Sequence, residues 1–292
     1  MSTKLDIYTT KRRGRIKNML FTSACFLATI TCVLMLMVLI WNIIVQGKDW
    51  LSWGFIDHLP SRFPHKAGIK SALWGSIWLI SLTAMFSVPL GVGAAVYLEE
   101  YAPRSRWRKL IQLNIANLAG VPSIVYGILG LGLFVRALSL ERSVLSGALT
   151  LTLVVLPIII LASREALRAV PDSIRRSAYA LGATRWQTVW YQVLPASLPG
   201  IMTGVILSLS RALGEAAPLI AVGAMAYVPF VPEKLTDEFT ALPIQIFNWT
   251  SRPQEDFHHL AAAGILVLLV VLVSMNAIAI FVRHKYGKKI RW

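Results

Sequence analysis

The stretch "RSAYALGATRWQTVWYQVLP" (176–195) has the pattern most specific for a fold in this chain. Thr184 and Gln187 have the T-x-x-Q spacing of a capping box, which predicts the start of a short helix. Four apolar residues then recur at i, i+3, i+4 and i+7, which gives this helix an apolar stripe; they are Trp186, Val189, Trp190 and Val193. We expect Pro195 to end the helix and Pro199 to help begin the next one.

A second amphipathic helix is predicted immediately upstream. Its apolar residues are Ile174, Ala178 and Leu181, and it ends at Gly182, where a sharp bend costs little. Two short helices meeting at such a bend fit a hairpin that lies on the lipid surface. They fit equally a docking element for a cytoplasmic partner. The residues alone favour neither interpretation.

Long apolar runs flank this stretch on both sides. Only 15% of the 292 residues are charged, against about 25% in soluble domains, and mean hydropathy is +0.62. A helix needs about 20 apolar residues to cross a bilayer. Six runs are long enough, five of them uncharged: 18–47, 71–98, 110–135, 143–163, 197–226 and 260–282. The sequence predicts an all-α integral membrane protein with six transmembrane helices.

The net charge of +15 follows the topology of these spans. With both termini in the cytoplasm, the cytoplasmic segments hold 20 of the 29 Lys and Arg residues and the external segments hold eight. This bias is the positive-inside rule. We therefore expect a multi-pass protein of the cell (inner or plasma) membrane that contacts lipid, and no nucleic-acid partner. Cys25 and Cys32 lie inside the first span and predict neither a disulfide nor a metal site.

Arg211 and Glu215 interrupt the fifth span and are the only charged residues between Trp186 and Pro232. Arg211 lies about 21 Å beyond the start of the span, near the midplane, where a charge costs about 2.5–3.5 kcal/mol. Because Glu215 is four residues on, the two can pair. The pair is either a structural brace or an anion site whose arginine is held until substrate arrives. Ser123 follows a helix-breaking proline and could present donors to the same anion.

The stretch at 176–195 resembles the EAA loop of binding-protein-dependent ABC importer permeases, E-A-A-x-x-x-G-x9-I-x-L-P. Four residues stand at matching positions: Ala178, Gly182, Leu194 and Pro195. Three depart from the pattern: Arg176, Ser177 and Gln192. The resemblance implies a coupling helix that sits in a groove of an ATPase subunit. The residues it implies for coupling are Ala178, Gly182, Thr184, Trp186, Leu194 and Pro195.

Three further motifs resemble the A-type (PstA) permease subunits of phosphate importers, within the type I, MetI-like permease family. They are "AGVPSIVYG" (119–127), "RALGEAAPL" (211–219) and "LPIQIFNW" (242–249). Ala216 stands where the common form has threonine. The resemblance implies ATP-driven import of inorganic phosphate by alternating access. It also implicates the arginine at position 211 in the phosphate path. Together with Glu215 and Ser123, which the residues themselves suggest, Arg211 forms the candidate substrate path.

The predicted organisation follows from these spans and motifs. It comprises a basic cytoplasmic N-terminus (1–18), a first transmembrane helix (19–46), an external loop (47–70), a permease core with five transmembrane helices (71–283) and a cytoplasmic C-terminus (284–292). The core includes the EAA-like coupling loop (168–196) and an external loop (229–258).

The resemblance also implies partners: a sister permease subunit (C type), two ATP-binding subunits and an external phosphate-binding protein. This chain has no nucleotide-binding motif, so we expect it to be non-catalytic and to bind no cofactor or metal. ATP and Mg²⁺ are then used by the partner ATPase subunits. Two alternatives stay open: a permease for sulfate or molybdate, and an ion-coupled secondary anion transporter that uses Arg211 and Glu215 as a proton relay.

Overall fold

The computed structural model describes residues 2–103, 105–224 and 227–287, with side chains for those from 17 to 281 and for 283 and 284, and these ranges contain helices but no strand elements. The helices are α1 (Ser2–Gly47), α2 (Trp53–Asp57), α3 (Lys70–Val96), α4 (Arg106–Ala119), α5 (Ser123–Gly130), α6 (Val144–Arg168), α7 (Asp172–Ala180), α8 (Arg185–Thr188), α9 (Leu194–Gly214), α10 (Ala217–Val222), α11 (Leu242–Thr250) and α12 (Glu255–Gly287). Three π-helical segments continue α3, α5 and α8: Tyr97–Tyr101, Leu131–Ala137 and Val189–Val193.

Five helical segments of the described chain are long and apolar enough to cross a membrane. They are Lys17–Trp50, Lys70–Tyr101, Val144–Arg168, Arg185–Gly214 and Glu255–Phe281. They confirm the prediction of an all-α membrane protein.

The predicted span at 110–135 is wrong as a single continuous helix. Arg106–Ala119 and Ser123–Ala137 meet at an angle of 100°. Pro122 provides no N–H and cannot extend α4, so the chain turns and a new helix starts at Ser123. The bend frees backbone carbonyls, and the Tyr126 hydroxyl donates to one of them, Leu118 O, at 2.7 Å.

The bent pair nevertheless crosses the protein from one end of α6 to the other. Near its start, Gln112 lies beside Arg164, close to the C-terminal end of α6. Farther along, Gly130 packs directly against Thr150, near the N-terminal end of α6. The pair therefore runs antiparallel to α6 and counts as one crossing, which brings the total to the predicted six.

Helix α6 forms the centre of the bundle and is buried against α3 and α9. Small residues permit this close approach, as is usual between membrane helices. A side chain on Gly91 would meet Ile159, and side chains on Gly200 and Gly204 would meet Ala166 and Ala162. The helix contacts on both sides of α6 thus depend on glycines.

The predicted external loop at 229–258 contains helix α11, which the sequence pattern did not predict. The Leu242 N–H at its start donates to Ser76 Oγ of α3 at 2.8 Å. The segment before α11 also accepts hydrogen bonds from the first turn of α6, through Asp237 O and Leu235 O, both at 3.0 Å. These contacts satisfy backbone donors that a helix N-terminus would otherwise leave unpaired.

We expect Gly204→Leu to destabilise the purified chain in detergent. The new side chain would overlap Ala162, and overpacking of this kind costs about 1–3 kcal/mol. Gly132→Leu is the matched control, because a side chain there meets nothing within 4 Å. Thermal unfolding should show a lower midpoint for the first variant alone. Equal midpoints would contradict the packing described for α6 and α9.

Candidate functional site

The charge pair of the fifth span is formed as predicted. Arg211 Nε donates to Glu215 Oε1 at 3.1 Å. The neighbouring Ala212 packs with Val155 and Ile159, which lie midway along α6, so the pair is near the middle of the membrane. The Arg211 side chain is 56% exposed and that of Glu215 is 17% exposed. The guanidinium therefore keeps donors available beyond the one that Glu215 uses.

The helix that carries Arg211 ends before it reaches Glu215. Helix α9 stops at Gly214, Glu215 is extended with φ −80° and ψ 111°, and α10 starts at Ala217. The predicted continuous span at 197–226 is therefore wrong. Pro218 explains the interruption, because its ring would clash with the carbonyl four residues earlier if α9 continued. The carboxylate is thus held by a short link between two helices.

Helix α5 packs against α10, directly after this link. A side chain on Gly127 would lie 2.6 Å from both Pro218 O and Ala221 Cβ, so only glycine permits the contact. Ser123 begins α5 one turn before Gly127 and is half-buried. Within the described chain, no hydrogen bond joins Ser123 to either member of the charge pair. Its place in a substrate path stays a prediction.

A polar contact beside Arg211 fixes α9 against α12. Ser210 Oγ donates to Asn276 Oδ1 at 2.5 Å. Sequence reasoning passed over this pair. A lone asparagine inside the apolar run at 260–282, Asn276, indicates such a contact, because polar groups inside a membrane span usually have a partner there.

The EAA-like loop has the predicted capping box and bend. The Thr184 N–H donates to Gln187 Oε1 at 2.8 Å, and the Gln187 N–H donates to Thr184 Oγ1 at 3.3 Å. Gly182 has φ +83°, which other L residues rarely adopt, and a side chain there would meet nothing within 4 Å. Leu181 beside it is 88% exposed. The bend therefore presents an uncovered surface.

Pro195 does not end the helix that begins at Arg185. The chain continues from α8 through the π-helical segment Val189–Val193 into α9, and Pro199 lies inside α9. The wider π turn precedes Pro195, where a regular turn would need the N–H that proline lacks. The EAA-like loop is thus continuous with the helix that carries Arg211.

The predicted apolar stripe divides between two surfaces. Val189 and Val193 are buried, whereas Trp186 and Trp190 are exposed and stack with ring centroids 5.4 Å apart. On the other side of α8, a groove of about 460 Å³ is lined by Leu181, Gly182, Gln187, Tyr191 and other loop residues. Both features fit a loop that is only partly covered by its own chain.

A cluster of ion pairs beneath this loop was missed by sequence reasoning. Arg175 of α7 donates to Glu100 Oε1 at 2.7 Å, and also to the carbonyls of Val170 (2.7 Å) and Leu167 (2.9 Å). Burial acts to lower the pKa of Arg175, but hydrogen bonding to Glu100 and its charge outweigh burial and raise that pKa. Arg175 is therefore a fixed cation with its donors engaged.

The family described as the inner-membrane component of binding-protein-dependent transport systems matches residues 87–288. This chain belongs to that family. The matched region contains the EAA-like loop, the charge pair and the Glu100–Arg175 contact.

Relatives in this family match the chain over most of its length. The phosphate transport system permease protein PstA 1 of Mycobacterium tuberculosis is 32% identical over 93% of this chain and 90% of its own. The phosphate transport system permease protein PstA of Yersinia pestis is 32% identical over 90% of both chains. A probable ABC transporter permease, YqgI of Bacillus subtilis, is 31% identical over 85% of this chain and 88% of its own.

Solved importer structures share the fold. The inward-facing MetNI methionine ABC transporter matches 74% of this chain and 94% of its own, with a TM-score of 0.62 and 17% identity. A bacterial alginate ABC transporter, solved with its alginate-bound periplasmic protein, matches 90% of this chain and 94% of its own, with a TM-score of 0.65 and 16% identity. The chain thus has the type I importer permease fold.

We expect Arg211→Gln to abolish substrate uptake while the permease still assembles, because glutamine removes the fixed charge and the donor fork but leaves a polar side chain. The measurement is uptake into vesicles containing the whole transport complex. Arg283→Gln is the control, since Arg283 donates to Thr203 and lies far from the pair along α9 and α12. Unchanged uptake in Arg211→Gln would reduce the charge pair to a structural brace.

Proposed function

We propose that this chain is a permease subunit that conducts inorganic phosphate into the cytoplasm by alternating access. The observation that carries the proposal is the half-exposed Arg211 guanidinium at the middle of the membrane. One hydrogen bond to Glu215 satisfies part of its donor set. A planar guanidinium fits a tetrahedral oxyanion, and its charge persists at any physiological pH.

The roles of the other site residues follow from this geometry. Glu215 balances Arg211 while the site is empty, and an arriving phosphate competes with that carboxylate for the donors. Ser123, at the start of α5, adds a hydroxyl on the side where α5 packs against α10. The relatives named phosphate transport permeases support phosphate as the anion. This chain binds no cofactor in the proposed cycle.

The energy source lies in partner subunits. Two ATP-binding subunits, which use ATP and Mg²⁺, dock on the loop at 168–196 from the cytoplasm. A C-type sister permease completes the membrane path, and an external phosphate-binding protein delivers the anion. Both termini of this chain face the cytoplasm in this arrangement. The uncovered bend at Gly182 and the exposed Leu181 support docking at this loop.

The direct test is uptake by the complete complex reconstituted in vesicles with its binding protein. We expect ATP-dependent accumulation of radiolabelled phosphate, with sulfate and molybdate neither accumulated nor competing. Uptake of sulfate or molybdate in place of phosphate would reject phosphate as the substrate. Uptake by this chain without ATP-binding subunits would identify an ion-coupled secondary transporter instead.

Docking at the bend has its own test. We expect Gly182→Asp to uncouple the ATPase subunits, because a charged side chain then projects from an uncovered bend into the docking surface. Aspartate tolerates a positive φ better than most residues, so the fold itself should survive. The measurements are co-purification of the ATP-binding subunits and stimulation of ATP hydrolysis. If both are normal, the loop is not the docking element.

A further inference from the structure

Glu99 and Glu100 end α3 at the cytoplasmic side and face different partners. Consecutive residues of a helix point about 100° apart, so two adjacent carboxylates can serve two sides of one helix. Both lie in the π-helical segment Tyr97–Tyr101, and both side chains are less than 10% exposed. Buried carboxylates at this depth require charged partners.

Glu100 binds the cytoplasmic loop. Its carboxylate accepts from Arg175 Nη2 at 2.7 Å and from Nε at 3.2 Å, while the same guanidinium bonds two carbonyls at the end of α6. The shared arginine ties α3, α6 and α7 together. Beneath it, Ala95 of α3 and Val170 belong to one apolar cluster, and Ile174 of α7 packs against it.

Glu99 binds the bent pair. It accepts from Arg108 of α4 at 2.9 Å and from Arg164 of α6 at 2.8 Å. Gln112, with its amide oxygen toward the arginines, accepts from both at 3.0 Å. Helix α4 leads through the 100° bend into α5, which packs against α10 beside the charge pair. A continuous set of contacts therefore joins α7 to the central site.

We propose that the Glu100–Arg175 ion pair is the link through which movement of the docking loop reaches α3 and α4, and so opens and closes the path at Arg211. The inference rests on the proposed function, since the loop moves only if ATP-binding subunits dock there. Glu100 and Arg175 are positioning residues in this scheme and do not touch the substrate. A second connection runs from α8 directly into α9, the helix that carries Arg211. Through it, movement of the docking loop also moves Arg211.

The variant that tests the link is Glu100→Gln, which removes one charge and keeps the size of the side chain. Glu165→Gln is the matched control, because Glu165 also pairs with an arginine, Arg168, at 3.3 Å, but is 71% exposed and lies in α6, outside the loop at 168–196. Both are measured in the complete reconstituted complex for subunit co-purification, ATP hydrolysis and phosphate uptake. We expect Glu100→Gln to assemble and hydrolyse ATP while phosphate moved per ATP falls about tenfold. Glu165→Gln should match the wild type.

A second readout follows the motion itself. Amide hydrogen exchange in α4 is compared between ATP-bound and ATP-free complexes. In the wild type we expect a nucleotide-dependent change across Arg106–Ala119, and in Glu100→Gln we expect that change to disappear. Arg175→Lys keeps the cation beside Glu100 but loses the fork, so it should give an intermediate uptake per ATP. If Glu100→Gln does not fold, uptake per ATP in Arg175→Lys tests the link in its place.

Several outcomes would overturn the link. They are normal uptake per ATP in Glu100→Gln, an equal loss in Glu165→Gln, loss of subunit co-purification in Glu100→Gln, and a nucleotide-dependent exchange change in α4 of Glu100→Gln that equals that of the wild type. If Glu100→Gln does not fold, wild-type uptake per ATP in Arg175→Lys has the same meaning. Failure of the proposed function looks different, because the wild-type complex itself would then show no ATP-dependent phosphate uptake. If the wild-type complex imports another oxyanion, uptake of that anion per ATP is measured instead, and the same outcomes test the link.

Discussion

A charge inside a membrane protein needs a partner, and this constraint decides which side chains must meet at two levels of the bundle. Arg211 is tolerated at mid-membrane because Glu215 accepts from it. The same requirement at the end of the bundle that carries the EAA-like loop gathers Glu99, Glu100 and their arginines into one cluster between α3, α4, α6 and α7. Between these two levels α6 is apolar and close-packed, so the bundle can stay rigid where it carries no charge.

The two arginines at these levels differ in how far their donors are engaged. Arg175 bonds a carboxylate and two carbonyls and is largely buried, so nothing else can compete for it. Among the residues that the structure describes, Arg211 hydrogen-bonds to Glu215 alone, and it is half-exposed. A saturated guanidinium holds elements together, whereas an unsaturated one can receive a ligand. This difference in saturation separates a structural arginine from a candidate substrate contact in the same chain.

Local spacing predicted much of this molecule. The six crossings, the capping box at Thr184, the bend at Gly182 and the Arg211–Glu215 contact all follow from residues within four positions or from runs of apolar residues. The sequence predicted the 100° bend only in part, because Pro122 indicates a break in the helix but not the angle of the bend. The Glu99 and Glu100 pairs were invisible, since their partners Arg164 and Arg175 lie 65 and 75 residues further along the chain. The prediction that Pro195 ends its helix was wrong. Proline normally ends a helix, and the π turn before Pro195 cannot be predicted from the sequence.

The end of α9 at Gly214 leaves the two charges of the central pair on separate bodies. Arg211 belongs to a long helix that is continuous with the EAA-like loop, while Glu215 belongs to a non-helical link whose position depends on its own dihedral angles. Rotation within that link would withdraw the countercharge and leave the arginine in place. The electrostatic potential at Arg211 can therefore change from nearly neutral to positive through a few backbone torsions, without a proton, a metal ion or the displacement of a whole helix.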